Sequence, residues 1–302
     1  MKRLFGFVVA AVVIISGCEA PVEEFRAASP SAQGINIKMP DMKGQGLVGD
    51  PAVMPGVTAL STFLVNGSVA LVLGRVGEVV ATEPTKLLAS SAEWGPVSKP
   101  LWADEYQLSM TKDASGYHYT GQGRPRSGGE FATIITGNHK LTATGAEGDF
   151  VLDFTAMQSL ADPPGSVGQA KVKYTRSNKG DVTVAIDFVQ TGSPNDANRT
   201  NSSYTFSQAE QGDGHFEFVV DLNYVTTTAA NERLSIMSRW HWDGSGRSDI
   251  IGSGGDISTP AQMTECWDVD HARTFYTDTL GIFATEGKAA DCVFTEATYS
   301  RL

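Results

Sequence analysis

The chain has 302 residues, of which 23 are Lys or Arg and 34 are Asp or Glu, so its formal net charge at pH 7 is −11. This balance argues against a nucleic-acid partner, because binding phosphates requires a basic surface. Hydrophobic residues make up 41% of the chain and charged residues 19%. That composition is typical of a folded globular protein and excludes a wholly disordered chain.

The N-terminal residues have the pattern of an export signal. A basic pair at positions 2 and 3 precedes an uncharged, mostly apolar run over residues 4–15. The run has the length of a signal-peptide core and is too short to span a bilayer. It ends in Ile15-Ser16-Gly17-Cys18. This ending resembles the lipobox of bacterial lipoproteins, in which small residues precede a cysteine that is lipidated and becomes the N-terminus.

The lipobox resemblance implies a location and an anchor. Residues 1–17 would be the signal peptide, and Cys18 would carry the lipid that attaches the protein to the outer or inner membrane of the cell envelope. We expect the periplasmic face rather than the cell surface. Two or more acyl chains give stable anchoring. The alternative is an ordinary secretory signal followed by an incidental cysteine.

The two remaining cysteines form an even pair. With Cys18 set aside, Cys266 and Cys292 are left, and an exported protein folds in an oxidising compartment. We therefore predict a disulfide between them, with a stabilising effect of roughly 3–4 kcal/mol from the closed loop. A redox or metal-binding pair is the alternative, although the C-x-x-C spacing is missing.

The rest of the chain divides into a tether and one domain. Residues 18–55 contain five prolines and no sustained apolar period, which predicts a flexible tether. Residues 56–302 form a single β-rich domain. Its first segment, residues 57–80, is apolar on most sides of a helix, which indicates a buried helix. Arg75 and Glu78 make this segment a poor membrane span.

From Asp104 onward, apolar and polar residues alternate with a period of two. Clusters of turn residues separate the alternating runs, as in hairpin-linked strands. The pattern predicts a mainly β fold, a curled antiparallel meander that is half-barrel-like, with one buried N-terminal helix. We expect roughly nine to eleven strands, too many for a flat open sheet. One face of the sheet should be apolar and the other wet.

One hairpin can be tested for register. Pairing Phe216 with Trp242 and Phe218 with Trp240 brings bulky apolar side chains together along one face. The predicted apolar face contains seven aromatic residues, Tyr106, Phe154, Phe188, Phe216, Phe218, Trp240 and Trp242. In architecture, this arrangement is similar to the half-barrels of the periplasmic lipoprotein carrier and receptor proteins, LolA and LolB. That similarity implies a cavity for acyl chains between sheet and helix. The alternative is a filled core.

The same register produces a polar patch on the wet face. It sets His215 opposite Asp243 and Glu217 opposite His241, and such a set could bind zinc. We favour exposed ion pairs between these side chains and predict neither a metal nor a cofactor.

Taken together, these patterns predict a membrane-anchored, non-enzymatic envelope lipoprotein that binds a lipid or another apolar ligand. The first alternative is an interaction or scaffold module with a filled core, whose partner is another envelope protein. The second alternative is a metal-dependent hydrolase, which rests only on the patch of His215, Glu217, His241 and Asp243.

Overall fold

A computed structural model describes residues 20–31, 51–195, 199–210, 212–223, 228, 230–281 and 283–299. It contains two α-helices, α1 (Ala20–Ala27) and α2 (Met54–Val80), and two short 3-10 helices, Ala156–Ser159 and Ala289–Asp291. The strands are β1 (Lys86–Leu88), β2 (Ser91–Val97), β3 (Asp104–Asp113), β4 (Gly116–Pro125), β5 (Ala132–Thr142), β6 (Gly145–Asp153), β7 (Val167–Ser177), β8 (Val182–Gly192), β9 (Thr200–Gln208), β10 (Gly214–Leu222), β11 (Glu232–Trp240), β12 (Gly246–Gly254), β13 (Ile257–Trp267), β14 (Arg273–Asp278) and β15 (Glu286–Gly287).

The fifteen strands form one open antiparallel sheet. Each strand pairs with the strands before and after it in the chain, and β1 and β15 lie at the two edges. The predicted fold class, a mainly β antiparallel meander, is confirmed. The predicted nine to eleven strands from residue 103 onward were too few, because thirteen strands lie there, β3 to β15, and the last of them are short; β1 and β2 precede this range.

Helix α2 lies on the concave face of this sheet. It begins at Met54, three residues before the predicted start, and ends at Val80 as predicted. One side of the helix is buried in the core and the opposite side is exposed. Its N-terminal end contacts β13 and its C-terminal half packs over β3 to β5. The helix therefore crosses most of the width of the sheet.

Part of the predicted tether is folded. Helix α1 lies within residues 18–55, and the side chains of Phe25 and Ala28 are completely buried in the same core as α2. The Arg26 side chain donates hydrogen bonds to the carbonyl oxygens of Val80 and Thr82, just after α2. The prediction of a tether is therefore wrong for residues 20–31. The signal peptide, Cys18 and residues 32–50 lie outside the described residues.

The predicted register between β10 and β11 is wrong by four residues. Phe216 pairs with Ser238 instead of Trp242, and Phe218 pairs with Ile236. An even shift leaves every side chain on its predicted face, so the alternation of apolar and polar positions could not detect the error. Strand β11 ends at Trp240, which places Trp242 in the turn beyond it.

The disulfide between Cys266 and Cys292 is confirmed. It joins β13 to the C-terminal segment, residues 289–299, which crosses the convex face of β11 to β13. Arg247 and Arg239 donate hydrogen bonds to the carbonyl oxygens of Phe294 and Thr295. Three arrangements therefore fix this segment: the disulfide, these backbone contacts, and a ring stacking of Phe294 on His241 with centroids 4.4 Å apart.

Candidate functional site

The concave face and helix α2 are the candidate site, because the predicted apolar face lies there. Phe154, Phe216 and Trp240 are buried, and Tyr106, Phe188 and Phe218 are half-buried. Trp242 is 75% exposed, so its assignment to the apolar face is wrong. The six remaining aromatic residues all belong to the core around α2 or pack against it.

Directional contacts hold the N-terminal end of α2. The buried carboxylate of Glu265 on β13 accepts hydrogen bonds through Oε2 from the backbone N–H groups of Val53, at 2.9 Å, and Met54, at 2.7 Å. Its other oxygen accepts from Arg273 Nε at 2.8 Å. A carboxylate at this position satisfies unpaired N–H groups and interacts favourably with the positive end of the helix dipole.

A second polar contact lies one turn further along α2. The hydroxyl groups of Thr58 and Ser238 are 2.7 Å apart, and Ser238 is also hydrogen-bonded to Ser248. All three side chains are buried. Small hydroxyl residues thus replace bulky apolar ones on the concave faces of β11 and β12 beneath this part of the helix.

The C-terminal half of α2 is held differently. Here Val69, Leu73, Val76 and Val80 are buried against apolar side chains of the sheet, among them Leu108, Ile135 and Phe150. This half is therefore held by the hydrophobic effect, an interaction that has no preferred direction.

The exposed side of α2 is apolar as well. Residues 54–74 contain no charged side chain, and Leu60 and Phe63 are 60% and 70% exposed. Further along the same side lie Gly67, Gly74 and Gly77, and a Cβ atom added at any of the three would meet nothing within 4 Å among the described residues. We call this side, from Leu60 to Gly77, the open face of α2. A surface helix normally carries polar residues on its outer side.

Among the described residues, two small cavities can be traced between α2 and the sheet. One, of about 20 Å³, is lined by Val76, Tyr106 and Ile135. The other, of about 160 Å³, lies where the end of α1 meets Leu73 of α2 and the side chains of β5 to β7. Both are below the ~300–1,000 Å³ of pockets that bury drug-sized ligands. Neither of these two cavities, within the described part of the chain, has the size of a pocket for a drug-sized ligand.

A histidine and a tyrosine line the larger cavity. His139 on β5 is 8% exposed, and its Nδ1 lies 2.7 Å from the hydroxyl of Tyr174 on β7. Burial lowers the pKa of His139 and raises the pKa of Tyr174. The ring of Tyr174 lies over Gly148, where a Cβ atom would come within 2.5 Å of its hydroxyl oxygen. His139 Nε2 is buried and has no hydrogen-bond partner among the described residues.

His139 was not among the site residues predicted from the sequence, although the signal was present. In β5, Ile135 and His139 occupy alternating positions on the same face of the strand. Strand alternation therefore assigns this histidine to the apolar face, where a polar ring needs an explanation.

The predicted metal patch is not assembled. His215 lies opposite Arg239 and Glu217 opposite Met237. The His241 ring is hydrogen-bonded to Asp213 at 2.8 Å, and the Asp243 carboxylate accepts from Ser245. The pairings predicted for these four residues are wrong because they depended on the incorrect register. Among the described residues, no cluster of three His, Cys, Asp or Glu side chains could hold a metal ion.

A serine and a histidine meet on the outer face, in the β3–β4 hairpin. Ser115 Oγ lies 3.1 Å from His118 Nε2, and His118 Nδ1 lies 2.6 Å from Asn138 Oδ1. However, the Ser115 hydroxyl donates to Asp113 at 2.5 Å. Hydrogen bonds from Ser115 hold the pKa of Asp113 at about 2, so this acceptor is ionised at neutral pH. The serine proton is directed away from the histidine, and the group serves the turn rather than nucleophilic catalysis.

Comparisons with protein families, curated proteins and solved structures give no match to this chain. Within the described part of the chain, no helix combines the length and the apolar character needed to cross a membrane. The class of the protein is therefore defined by its fold alone, an open antiparallel meander whose concave face carries an apolar helix.

Proposed function

We propose that the protein is a non-enzymatic lipoprotein of the cell envelope, anchored through Cys18, that binds the hydrocarbon part of a lipid on the open face of α2. The observation that supports this most is the exposed apolar character of that face. Leu60 and Phe63 are exposed on a helix whose first 21 residues carry no charge. Apolar surface of this kind is typical of a binding site rather than of a solvent-facing helix.

The lipid is favoured as the occupant by the proposed anchor. A chain attached to the membrane at Cys18 keeps its folded domain close to acyl chains, which raises their effective concentration. The net charge of −11 does not favour electrostatic attraction to anionic headgroups. Binding would then depend on transfer of apolar surface, at about 25 cal/mol per Å².

A second candidate function is a protein interaction module of the envelope. The feature that favours it is the series of glycines in the open face, Gly67, Gly74 and Gly77, with free space in front of each. Small residues let another helix approach closely. A photo-reactive side chain at position 63 in living cells would separate the two functions, since crosslinking to a lipid supports the first and crosslinking to a protein supports the second.

The test uses the chain from residue 19 to 302, which contains every described residue, secreted so that its disulfide forms. It is incubated with vesicles of phosphatidylethanolamine and phosphatidylglycerol, re-isolated, and analysed by native and denaturing mass spectrometry. We expect a lipid-sized adduct that leaves on denaturation. The double variant Leu60→Ser with Phe63→Ser should lose it.

The control is Leu101→Ser, which changes a side chain that is 98% exposed and lies outside α2. This variant should keep the adduct. No adduct on the wild-type chain, or equal adducts on the double variant and the control, would contradict lipid binding at the open face. For the anchor, labelling of cells with a palmitate analogue should mark the full chain but not its Cys18→Ser variant.

A further inference from the structure

The cavity beside His139 is separate from the open face of α2. Leu73 lines the cavity and lies on the buried side of α2, whereas Leu60 and Phe63 lie on the exposed side. Its walls are apolar at Leu73, Leu141, Ala146 and Phe150, and polar groups are found at His139, Tyr174 and Arg176. The cavity therefore offers an apolar part and a hydrogen-bonding part next to each other.

The hydrogen bonds around His139 determine which group is left without a partner. The Tyr174 hydroxyl has one hydrogen-bond contact among the described residues, to His139 Nδ1. If the tyrosine donates this hydrogen bond, its proton is satisfied and the neutral imidazole carries its own proton on Nε2. If His139 Nδ1 donated to the tyrosine instead, two groups would be left without a partner, the Tyr174 proton and the unprotonated Nε2. The first arrangement leaves a single unsatisfied donor, the N–H at Nε2, which requires an acceptor oxygen.

A cation lies at the same cavity. Arg176 on β7 is exposed, and within the described chain its guanidinium makes no hydrogen bond or ion pair. Guanidinium groups bind carboxylates through two parallel hydrogen bonds. A wider cleft of about 360 Å³ is also lined by His139 and Tyr174, but there the bases Lys140 and Lys173 lie beside the acids Glu147 and Asp149. Of these two spaces, the smaller cavity is therefore the one that has a basic side chain and no acidic one in its described lining.

We propose that this cavity binds a small anionic amphiphile, a carboxylate with a short hydrocarbon chain, whose carboxylate pairs with Arg176 and, after a small shift of the buried His139 ring, accepts a hydrogen bond from its Nε2. The volume of about 160 Å³ limits the hydrocarbon part to a short chain. Leu73 and Phe150 contact the chain, and the ring of Tyr174 fixes the orientation of the imidazole. This site depends neither on the lipid anchor nor on the open face of α2.

Calorimetric titration of the chain 19–302 tests the proposal with three probes: octanoate, octanol and acetate. Octanoate should bind, whereas octanol lacks the charge and acetate lacks the chain, so each should bind at least roughly tenfold more weakly. On addition of octanoate, the ¹⁵Nε2 resonance of His139 should shift. No binding of octanoate, or equal binding of all three probes, would overturn the proposal.

Two variants locate the binding. His139→Phe keeps a ring of similar size and should weaken octanoate binding by roughly tenfold or more. Arg176→Gln changes an exposed side chain, so it should fold normally and weaken octanoate without changing octanol. Lys171→Gln, an equal loss of charge on the outer face of the same strand, should bind as the wild type does. If His139→Phe fails to fold, Arg176→Gln decides the question.

The double variant Leu60→Ser with Phe63→Ser separates this site from the proposed lipid site. It should bind octanoate normally. If it loses octanoate while Arg176→Gln retains it, the probe occupies the open face of α2 and the proposed cavity site is wrong. If the double variant binds both vesicle lipid and octanoate as well as the wild type does, the open face is not the lipid site. The cavity proposal is unaffected by that result.

Discussion

The two ends of helix α2 are held on the same sheet by different interactions. At the N-terminal end, Glu265 and Ser238 form hydrogen bonds with the helix. At the C-terminal end, Leu73 and Val76 pack among apolar side chains. Hydrogen bonds fix one position and one rotation of the helix, whereas apolar packing supplies stability but tolerates small shifts. The polar end therefore sets the placement of α2, and the apolar end contributes most of its burial.

The largest effect is expected from Glu265→Ala. The change leaves Arg273 without its buried partner and two backbone N–H groups of α2 unsatisfied, so the free energy of unfolding should fall by about 3–5 kcal/mol. Urea unfolding measures it. The control is Glu286→Ala, which removes the other acid beside Arg273, 3.4 Å away and partly exposed, and should cost at most about 1 kcal/mol. Equal losses would mean that Glu265 does not hold the helix.

The next largest effect is expected from loss of the disulfide, which lies on the convex side of β13, the strand that also carries Glu265. Replacing both Cys266 and Cys292 with Ser opens a loop of 26 residues, and the free energy of unfolding should fall by about 3.5 kcal/mol in the chain-entropy model. Thermal unfolding of the oxidised wild type and of the double variant measures the difference. A loss below about 1 kcal/mol would show that the contacts of Arg247 and Arg239 are sufficient to hold the C-terminal segment.

The apolar end is tested by two leucines on the same helix. Leu73→Ala removes buried methyl groups beside an existing cavity, and should lower the free energy of unfolding by about 2–4 kcal/mol. Leu60→Ala changes an exposed side chain and should stay within about 0.5 kcal/mol. Similar losses for both would contradict the assignment of Leu60 to the open face.

The smallest effect expected is a pH dependence arising from His139. Burial lowers the pKa of this histidine below the ordinary value of 6.5, so the folded chain binds its proton less readily than the unfolded chain. The stabilising contribution of the neutral His139 is therefore complete above pH 6.5. It is lost as the pH falls from 6.5 through the lower pKa of the folded chain. Between pH 7 and pH 5, the free energy of unfolding of His139→Phe should fall less steeply than that of the wild type.

His118 provides a control of opposite sign. Hydrogen bonds that this exposed histidine donates to Asn138 Oδ1 and Asp113 Oδ2 raise its pKa, so its stabilising contribution is present at low pH and is lost as the pH rises through the folded pKa. His118→Gln should therefore make the loss of stability on acidification slightly steeper. A flatter profile would contradict the sign derived for this residue.

The strands could be predicted from sequence because alternation of apolar and polar residues records which side faces the core. The register of β10 and β11 could not be predicted from sequence, because a shift of four residues preserves the alternation at Phe216 and Phe218. The disulfide was predictable because only two cysteines remained once Cys18 was set aside. Helix α1 was missed because Pro21 and Pro30 obscure a short helix that depends on Phe25 for its burial.

The candidate site was only partly predictable. The apolar character of α2 is local and can be read from the sequence, but its exposed side depends on how the helix rests on the sheet. Glu265 lies 211 residues from the backbone group that it caps, and no pattern in the sequence joins them. The pair of His139 and Tyr174 likewise requires the alignment of β5, β6 and β7.

The order of the strands also determines the order in which the chain can assemble. Each strand pairs with the one synthesised just before it, so the sheet can grow by one hairpin at a time from its N-terminal edge. Helix α2 is synthesised before all fifteen strands, yet Thr58 and Met54 find their partners 180 and 211 residues later. Until the sheet is in place, the buried side of α2 stays exposed to water, which promotes aggregation, and until β13 exists its N-terminal end lacks the hydrogen bonds to Glu265. During synthesis, α2 is therefore a segment that a chaperone would protect.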